Sequence, residues 1–301
     1  MGKIVGFCFC IIILLADYQS HSQVNDKDSV LVKEIIHFLC HDSLNGRLAG
    51  SAGESIAVQF IEDEFRKLDL EYFFQNGYAE SFIFIDDFGE ILVSRNIAAH
   101  INNKAEKTIL IIAHYDHLGY GGVHSLSYTN TVLHPGADDN ASGISTLLLL
   151  AGTMKKCHAT NFNYLFLATG AKESGNFGSG AFVRKYGKTL NKVVLVVNLD
   201  MTGRYGQQQP AFFLCSDENT AKLFQSNQLN ILLMTYKAGI SHLEPGDHSP
   251  FLNAGFPVIQ ITTGKHPDMH TIADTPDKIN AKGIIEITRF LNELFNIISH
   301  Q

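Results

Sequence analysis

Residues 108–113 read TILIIA, a continuous run of apolar side chains. A strand of this kind lies in a sheet that is covered on both faces, as in α/β proteins. Three further runs of the same character follow along the chain: NYLFLATG at 163–170, KVVLVVNLD at 192–200 and PVIQITTG at 257–264. Together they predict the buried strands of one sheet.

Helical periodicity appears between and around these strands. The segment 140–156 reads NASGISTLLLLAGTMKK, which predicts a helix that begins near Asn140. A last helix is predicted at 281–299, and two more precede the strands, around residues 31–39 and 57–68. Buried strands that alternate with amphipathic helices predict the α/β class, as a three-layer sandwich in which helices flank a mostly parallel, twisted central sheet.

The chain has 301 residues, a formal net charge of −7, 45% hydrophobic residues and 18% charged residues. This composition is typical of globular proteins and includes enough apolar material for a sizeable core. The sequence has no basic stripe that would neutralise phosphates, which argues against a nucleic-acid partner.

The N-terminus predicts export. Lys3 precedes an apolar run at 4–16, which is shorter than the roughly 20 residues that a membrane span needs. This run matches the apolar part of a secretory signal, and the small residues at 20–22 offer a cleavage site. We therefore expect a signal peptide at 1–22, a single domain at 23–301, a secreted or periplasmic location and no stable membrane span after cleavage. The alternatives are a retained anchor and a buried or interfacial first helix.

Three cysteines remain in the mature chain, Cys40, Cys157 and Cys215. An odd number cannot pair completely within one chain, and their spacing matches no zinc finger or redox motif. Free thiols are the expectation, while a disulfide between two of them stays open.

Metal-ligand side chains stand at the ends of the predicted strands. In α/β folds, sites form beyond the carboxyl ends of parallel strands, so residues that follow different strands can converge there. Candidates for a metal site are His114, Asp139, Glu173, Asp200 and His270.

The motif AHYDHLG places His114 and Asp116 on one side of an extended segment. A carboxylate two residues from a histidine can orient the ring by accepting its second N–H, as partners of metal-bound imidazoles do. We expect this role for Asp116, whereas His117 is interpreted as a structural or rim residue.

Two acidic motifs admit both a metal and a structural reading. In PGADDNASG, Asp139 could bridge two cations or cap the following helix. Asp200 ends an apolar strand, where an unpaired carboxylate costs several kcal/mol, so it needs a cation or a salt bridge to a residue such as Arg204. In HPDMHTIADTPDKIN at 266–280, His266 is expected on the surface, and Asp274 is expected to fix its loop or to cap the segment that follows.

Taken together, seven segments resemble, in order and spacing, the zinc aminopeptidases of metallopeptidase family 28, which also contains the glutaminyl cyclases. The segments are SLNGRLAGSAGESIAVQFIEDEF, AHYDHLG, PGADDNASG, KESGNFGS, NLDMTGR, GDHSPF and HPDMHTIADTPDKIN. The resemblance implies a peptide substrate and two zinc ions per chain.

Carried over residue by residue, the resemblance assigns His114 and Asp200 to one zinc ion and Glu173 and His270 to the other. It makes Asp139 the bridge between the two ions and Asp116 the partner of His114, and it places Asp247 and His248 on the pocket wall. Because glutaminyl cyclases usually lack a second bridging acid where Asp139 stands, the peptidase branch fits better.

Lys172 departs from the family pattern. Active members carry a Glu at this place, which moves a proton from water to the leaving amine, and a positioned base of this kind contributes about 10²–10⁴ in rate. The leading hypothesis is an exported metal-dependent aminopeptidase in which Lys172 stands at the catalytic position and hydrolysis is reduced or altered. One alternative is an inactive metal-binding or scaffold protein, and a third is a glutaminyl cyclase-like enzyme.

Overall fold

The computed structural model describes residues 26–127, 131–157, 161–206, 210–225, 234–239, 243 and 245–299. The signal peptide predicted at 1–22 lies outside these residues and stays a prediction. No helix among the described residues combines the length and the apolar character needed to cross a bilayer.

The described residues form seven α-helices and nine strands. The strands are β1 Glu71–Tyr72, β2 Ala79–Ile85, β3 Ile91–Ile101, β4 Lys107–His114, β5 Phe162–Thr169, β6 Val193–Leu199, β7 Ala211–Cys215, β8 Met234–Ala238 and β9 Val258–Thr262. The helices are α1 Asp26–Leu39, α2 Ala52–Lys67, α3 Gly143–Lys156, α4 Phe177–Tyr186, α5 Glu218–Gln225, α6 Ser249–Asn253 and α7 Ala281–Ile298. Short 3₁₀ turns lie at Asp42–Arg47, Gly187–Thr189 and Pro276–Lys278, and a π-helical turn at Ala137–Ser142.

The strands form one sheet in the order β1-β3-β5-β4-β6-β9-β7-β8, with β2 paired to β3. The centre, β5-β4-β6-β9, is parallel, as is the β7-β8 pair. Antiparallel pairs join β1, β2 and β5 to β3, and β7 to β9. The predicted α/β sandwich is confirmed; the sheet is parallel where the apolar runs lie and mixed as a whole.

The apolar runs are explained by burial on both faces of the sheet. Along β4, Ile109 and Ile111 point into a core shared with α1, α2, α3 and α7, whereas Leu110 and Ile112 point into a second core with Phe182 of α4. Successive strand residues face opposite sides, so a strand between two helical layers needs apolar side chains throughout.

One helical expectation needs correction. The helix expected near Asn140 begins as α3 at Gly143, because the Asn140 side chain accepts hydrogen bonds from the backbone N–H of Gly143 and of Met201, at 3.0 Å each. The turn Ala137–Ser142, which precedes α3, therefore does not continue the regular helix.

Cys40, Cys157 and Cys215 are free thiols, as expected.

Candidate metal centre

The five predicted metal-ligand residues meet at the carboxyl edge of the parallel strands. His114 ends β4, Asp200 directly follows β6, and Glu173 and His270 lie in the segments after β5 and β9. Asp139 comes from the π-helical turn before α3. The strand topology explains this convergence, because parallel neighbours end on the same edge of a sheet.

The residues form two groups that share Asp139. In the first group, His114 Nε2 lies 3.2 Å from Asp139 Oδ1 and 3.5 Å from Asp200 Oδ1. In the second group, His270 Nε2 lies 3.0 Å from Asp139 Oδ2 and 3.5 Å from Glu173 Oε2. Each oxygen of Asp139 thus faces a different group, which is the arrangement that a bridging carboxylate requires.

The polar atoms at the centre of these groups are buried and make no hydrogen bonds within the described structure. They are His114 Nε2, both ring nitrogens of His117, both carboxylate oxygens of Asp139, Asp200 Oδ1 and His270 Nε2. Each buried polar atom without a partner costs about 1–3 kcal/mol. Imidazole nitrogens and carboxylate oxygens in this combination suit a zinc ion, so the residues present fit the metal.

Asp139 is held in place by Asp274, which belongs to the segment after β9. The Asp274 carboxylate accepts hydrogen bonds from the backbone N–H of Asp138, at 2.9 and 3.0 Å, and of Asp139, at 3.0 Å. The turn begins at Gly136, whose φ of 61° is left-handed and whose missing Cβ would lie 2.5 Å from the His117 ring. Asp274 therefore fixes a distant turn as well as its own loop.

Asp116 acts differently from the prediction. The ring nitrogen Nδ1 of His114 faces the backbone carbonyl of Asp116 at 3.2 Å, and the carboxylate lies farther away at 3.8 Å. The carboxylate instead accepts the backbone N–H groups of Lys172 at 3.0 Å and of Glu173 at 3.1 Å. Asp116 therefore orients His114 through its main chain and the 172–173 turn through its side chain.

Lys172 points into the centre. Its Nζ lies 3.3 Å from Glu173 Oε1 and 3.5 Å from Asp139 Oδ1, and its side chain is 14% exposed. Burial disfavours the ammonium, but the carboxylates of Asp139, Glu173 and Asp200 outweigh that effect and hold the pKa of Lys172 well above its usual range. The side chain is thus an internal counter-ion of the acidic cluster.

One histidine, His266, lies elsewhere than the sequence predicted, and another, His117, has a neighbour that the sequence did not indicate. His117, expected to be structural or at the rim, is fully buried, and its Nδ1 lies 3.6 Å from Glu173 Oε1. His266, expected on the surface, has a 5% exposed side chain, and its Nε2 lies 2.9 Å from Asp138 Oδ2. The available signal for His117 was its place three residues after His114, just beyond a strand end.

The salt bridge considered for Asp200 is absent in the described structure, because Arg204 pairs with Asp268 at 3.1 Å and with Asp274 at 3.2 Å. The wall residues Asp247 and His248 are both buried. Asp247 accepts a hydrogen bond from Thr169, which ends β5.

A cavity of about 250 Å³ opens beside the centre. Asp139, Lys172 and Asp200 line its inner end. Its other lining residues are Met201, Phe212, Leu214, Pro245, Gln260, Thr262, Gly264, Lys265 and Met269. The arrangement places a largely apolar recess next to the polar cluster.

Comparisons with known proteins agree with this architecture. The sequence model of peptidase family M28 matches residues 96–295. A probable leucine aminopeptidase of Arthroderma benhamiae is 31% identical over 205 residues, which cover 64% of this chain and 54% of the relative. The chain thus spans about half the length of the curated relatives it matches.

Solved structures show the same fold. A glutaminyl cyclase of Fimbriiglobus ruber superimposes with a TM-score of 0.75 at 18% identity, covering 89% of this chain and 95% of the other. A zinc aminopeptidase of Bacillus subtilis gives a TM-score of 0.69 at 16% identity, covering 89% and 94%. At these identities the likeness establishes the fold alone.

Proposed function

Because the chain belongs to peptidase family M28, we propose that it is a zinc-dependent aminopeptidase that removes N-terminal residues from peptides. The observation that carries the proposal is the convergence of buried imidazole nitrogens and carboxylate oxygens that lack hydrogen bonds. Most buried polar atoms in folded proteins have partners, so a cluster of unpaired ligand atoms favours a further group that completes them.

The described residues would hold two zinc ions. The first group, His114, Asp139 and Asp200, would hold one, and the second group, Asp139, Glu173 and His270, would hold the other. When bound, zinc supplies a Lewis acid that polarises a carbonyl group and makes water more acidic.

The cavity beside the first group supports an apolar N-terminal residue on the substrate. Met201, Phe212 and Leu214 line it, and its volume of about 250 Å³ accommodates one large side chain. This preference accords with the relatives that are named as probable leucine aminopeptidases.

Lys172 sets the limit on proton transfer. Its Nζ lies at the inner end of the cavity, 3.3 Å from Glu173 Oε1, and can donate a hydrogen bond there. The ammonium form of an amine cannot accept a proton, so as long as Lys172 keeps its proton the step that a Glu would perform at this position lacks its acceptor. We therefore propose that hydrolysis is slow. The Asp116 carboxylate would position Lys172 by accepting the hydrogen bond of its backbone N–H.

The same observation favours a second candidate function. An ammonium that pairs with Asp139 and Glu173 neutralises part of the acidic cluster. It also leaves position 172 without the carboxylate that acts as a base in active family members. A protein with these features could bind metal without turnover and serve as a binding or scaffold domain.

The variant Lys172→Glu separates the two candidates. We expect kcat/KM for leucine 4-nitroanilide to rise by about 10²–10⁴ in this variant, because a carboxylate can accept the proton that the ammonium cannot. Lys172→Gln is the matched control, since it removes the charge without adding a base and should gain much less. Metal content is measured in all three proteins.

Two outcomes would contradict the proposal of a slow peptidase. A native protein that is faster than Lys172→Glu would show that Lys172 is itself competent. Bound zinc without turnover in all three proteins would favour the scaffold function.

We also propose that the protein is secreted or periplasmic, on the basis of the signal sequence at 1–22. Cell fractionation followed by N-terminal sequencing tests this, with Gln23 as the expected first residue. A cell-retained protein that begins at Met1 would contradict it.

A further inference from the structure

We propose that His117 is a fourth protein ligand of the second group, so that one metal position is closed by the protein while the other stays open. This inference rests on the metal centre of the proposed function. It goes beyond the family pattern, which assigns Asp139, Glu173 and His270 to this position.

The first argument is the environment of the His117 ring. The residue is fully buried, and neither ring nitrogen has a hydrogen-bond partner in the described structure. A neutral imidazole always carries one donor and one acceptor nitrogen, so both needs are unmet. Burying both without partners is expensive unless one nitrogen binds an ion.

The second argument is the direction of the ring. His117 Nδ1 lies 3.6 Å from Glu173 Oε1, and the ring centre lies 6.1 Å from that of His270. Ligand atoms of His117, Asp139 and Glu173 all lie within 4.8 Å of one another, a spacing at which they could hold one ion.

The third argument is that His117 cannot turn away. Its backbone N–H donates to the carbonyl of Arg47 at 3.2 Å, which anchors the main chain. On the ring side, Gly136 approaches so closely that a Cβ there would lie 2.5 Å from the imidazole. The ring is therefore held against the second group.

A position with two imidazoles and two carboxylates has the four protein ligands that are typical of closed, structural zinc sites. The first group supplies only three ligands, which is typical of catalytic sites that keep one place for water or substrate. Among the described residues that line the cavity, Asp139 and Asp200 represent the first group, and the second group contributes only the shared Asp139. The open position thus faces the cavity, and the closed position lies behind it.

The variant His117→Asn tests the inference. We expect it to lose at least tenfold in affinity for one of the two zinc ions, measured by competition with a coloured chelator, while the affinity for the other ion stays unchanged. Loss of a residue that only orients a ligand already costs about 10–100-fold.

His134→Asn is the matched control. His134 is also fully buried, and its ring lies 6.4 Å from that of His117, but its nitrogens pair with Ser125 Oγ at 2.8 Å and with the Val132 carbonyl at 2.9 Å. This control should keep both zinc affinities. Equal affinities in His117→Asn and the native protein would overturn the inference.

X-ray absorption at the zinc edge of the native protein gives a second readout that does not depend on the folding of any variant. We expect more than one imidazole per zinc ion on average, because three histidines would serve two ions. One imidazole per zinc would overturn the role of His117 and leave the proposed function standing. Bound zinc with the expected imidazole count but no peptide turnover would overturn only the peptidase proposal, and a native protein that binds no zinc would overturn both.

Discussion

Lys172 determines the electrostatic balance of the centre. In the proposed centre, two divalent ions against the carboxylates of Asp139, Glu173 and Asp200 would leave a formal surplus of one positive charge, and a protonated Lys172 would raise it to two. The side chain nevertheless points inward, within 3.5 Å of Asp139 Oδ1. A single inward cation would thus oppose the binding of the second metal ion.

His248 is another residue whose charge depends on its surroundings. Burial, opposed only by the attraction of Asp200, lowers the pKa of His248 to about 4. Its Nδ1 lies 3.2 Å from the side-chain amide of Asn198, at the end of β6. The folded protein therefore holds this imidazole neutral.

The pKa of His248 predicts a loss of stability in acid. Above pH 6.5 this histidine is neutral in both the folded and the unfolded chain and costs no stability. As the pH falls from 6.5 toward 4, only the unfolded chain takes up the proton, so the free energy of unfolding falls. Between pH 7.5 and pH 5 we expect the native protein to lose about 2 kcal/mol of unfolding free energy relative to His248→Gln. Urea unfolding of both zinc-loaded proteins at these two pH values measures the difference, and parallel pH profiles would contradict the prediction.

At the scale of elements, the site depends on contacts between segments that follow different strands. Asp274, after β9, binds the backbone of the turn that carries Asp139 before α3. Asp116, after β4, binds the backbone of Lys172 and Glu173 after β5. In both cases a buried carboxylate aligns a neighbouring loop through its N–H groups.

The hydrogen bonds from the backbone of Asp138 and Asp139 to the Asp274 carboxylate predict weaker zinc binding in the variant Asp274→Asn. The amide has one carbonyl oxygen and cannot accept all the hydrogen bonds that the carboxylate accepts. We expect zinc affinity to fall by about 10–100-fold, as happens when a partner that orients a ligand is lost. Chelator competition measures the affinity.

Asp268→Asn serves as the control for this prediction, because Asp268 also pairs with Arg204 but lies on the more exposed side of that pair. Its zinc affinity should change little. If both variants lose the same affinity, Asp274 acts only through Arg204, and the explanation by backbone hydrogen bonds is wrong.

At the scale of the whole molecule, the proposed metal ions would link the centre to the stability of the fold. The largely buried side chains of Asp139, Glu173 and Asp200 lie together at the sheet edge, where Lys172, His114 and His270 face them. An ion that binds the folded chain but not the unfolded chain stabilises the fold.

Removal of zinc should therefore lower the melting temperature. A ligand at 100–1,000 times its dissociation constant stabilises a protein by about 3–4 kcal/mol. For domains of about 150–250 residues, somewhat smaller than this one, each kcal/mol shifts the melting temperature by about 2–4 °C. We expect a fall of about 5–15 °C after dialysis against a chelator, measured by differential scanning calorimetry, and recovery when zinc is added back. If the protein lost its zinc without a change in melting temperature, the link between metal binding and the stability of the fold would be contradicted.

The sequence by itself determined the elements and the edge of the sheet where the site lies. Apolar runs such as 108–113 and the period of α7 are local patterns, and the residue that follows a parallel strand must lie at its carboxyl edge. The convergence of His114, Glu173 and Asp200 could therefore be predicted without coordinates.

Only the tertiary structure decided which further groups face that edge and in which direction they point. His117 faces Glu173 with Gly136 packed against its ring, and the His266 side chain is buried against Asp138, 128 positions away in the chain. Lys172 points inward because carboxylates from other loops surround it. Burial and pairing of this kind depend on distant segments, and no local period or spacing records them.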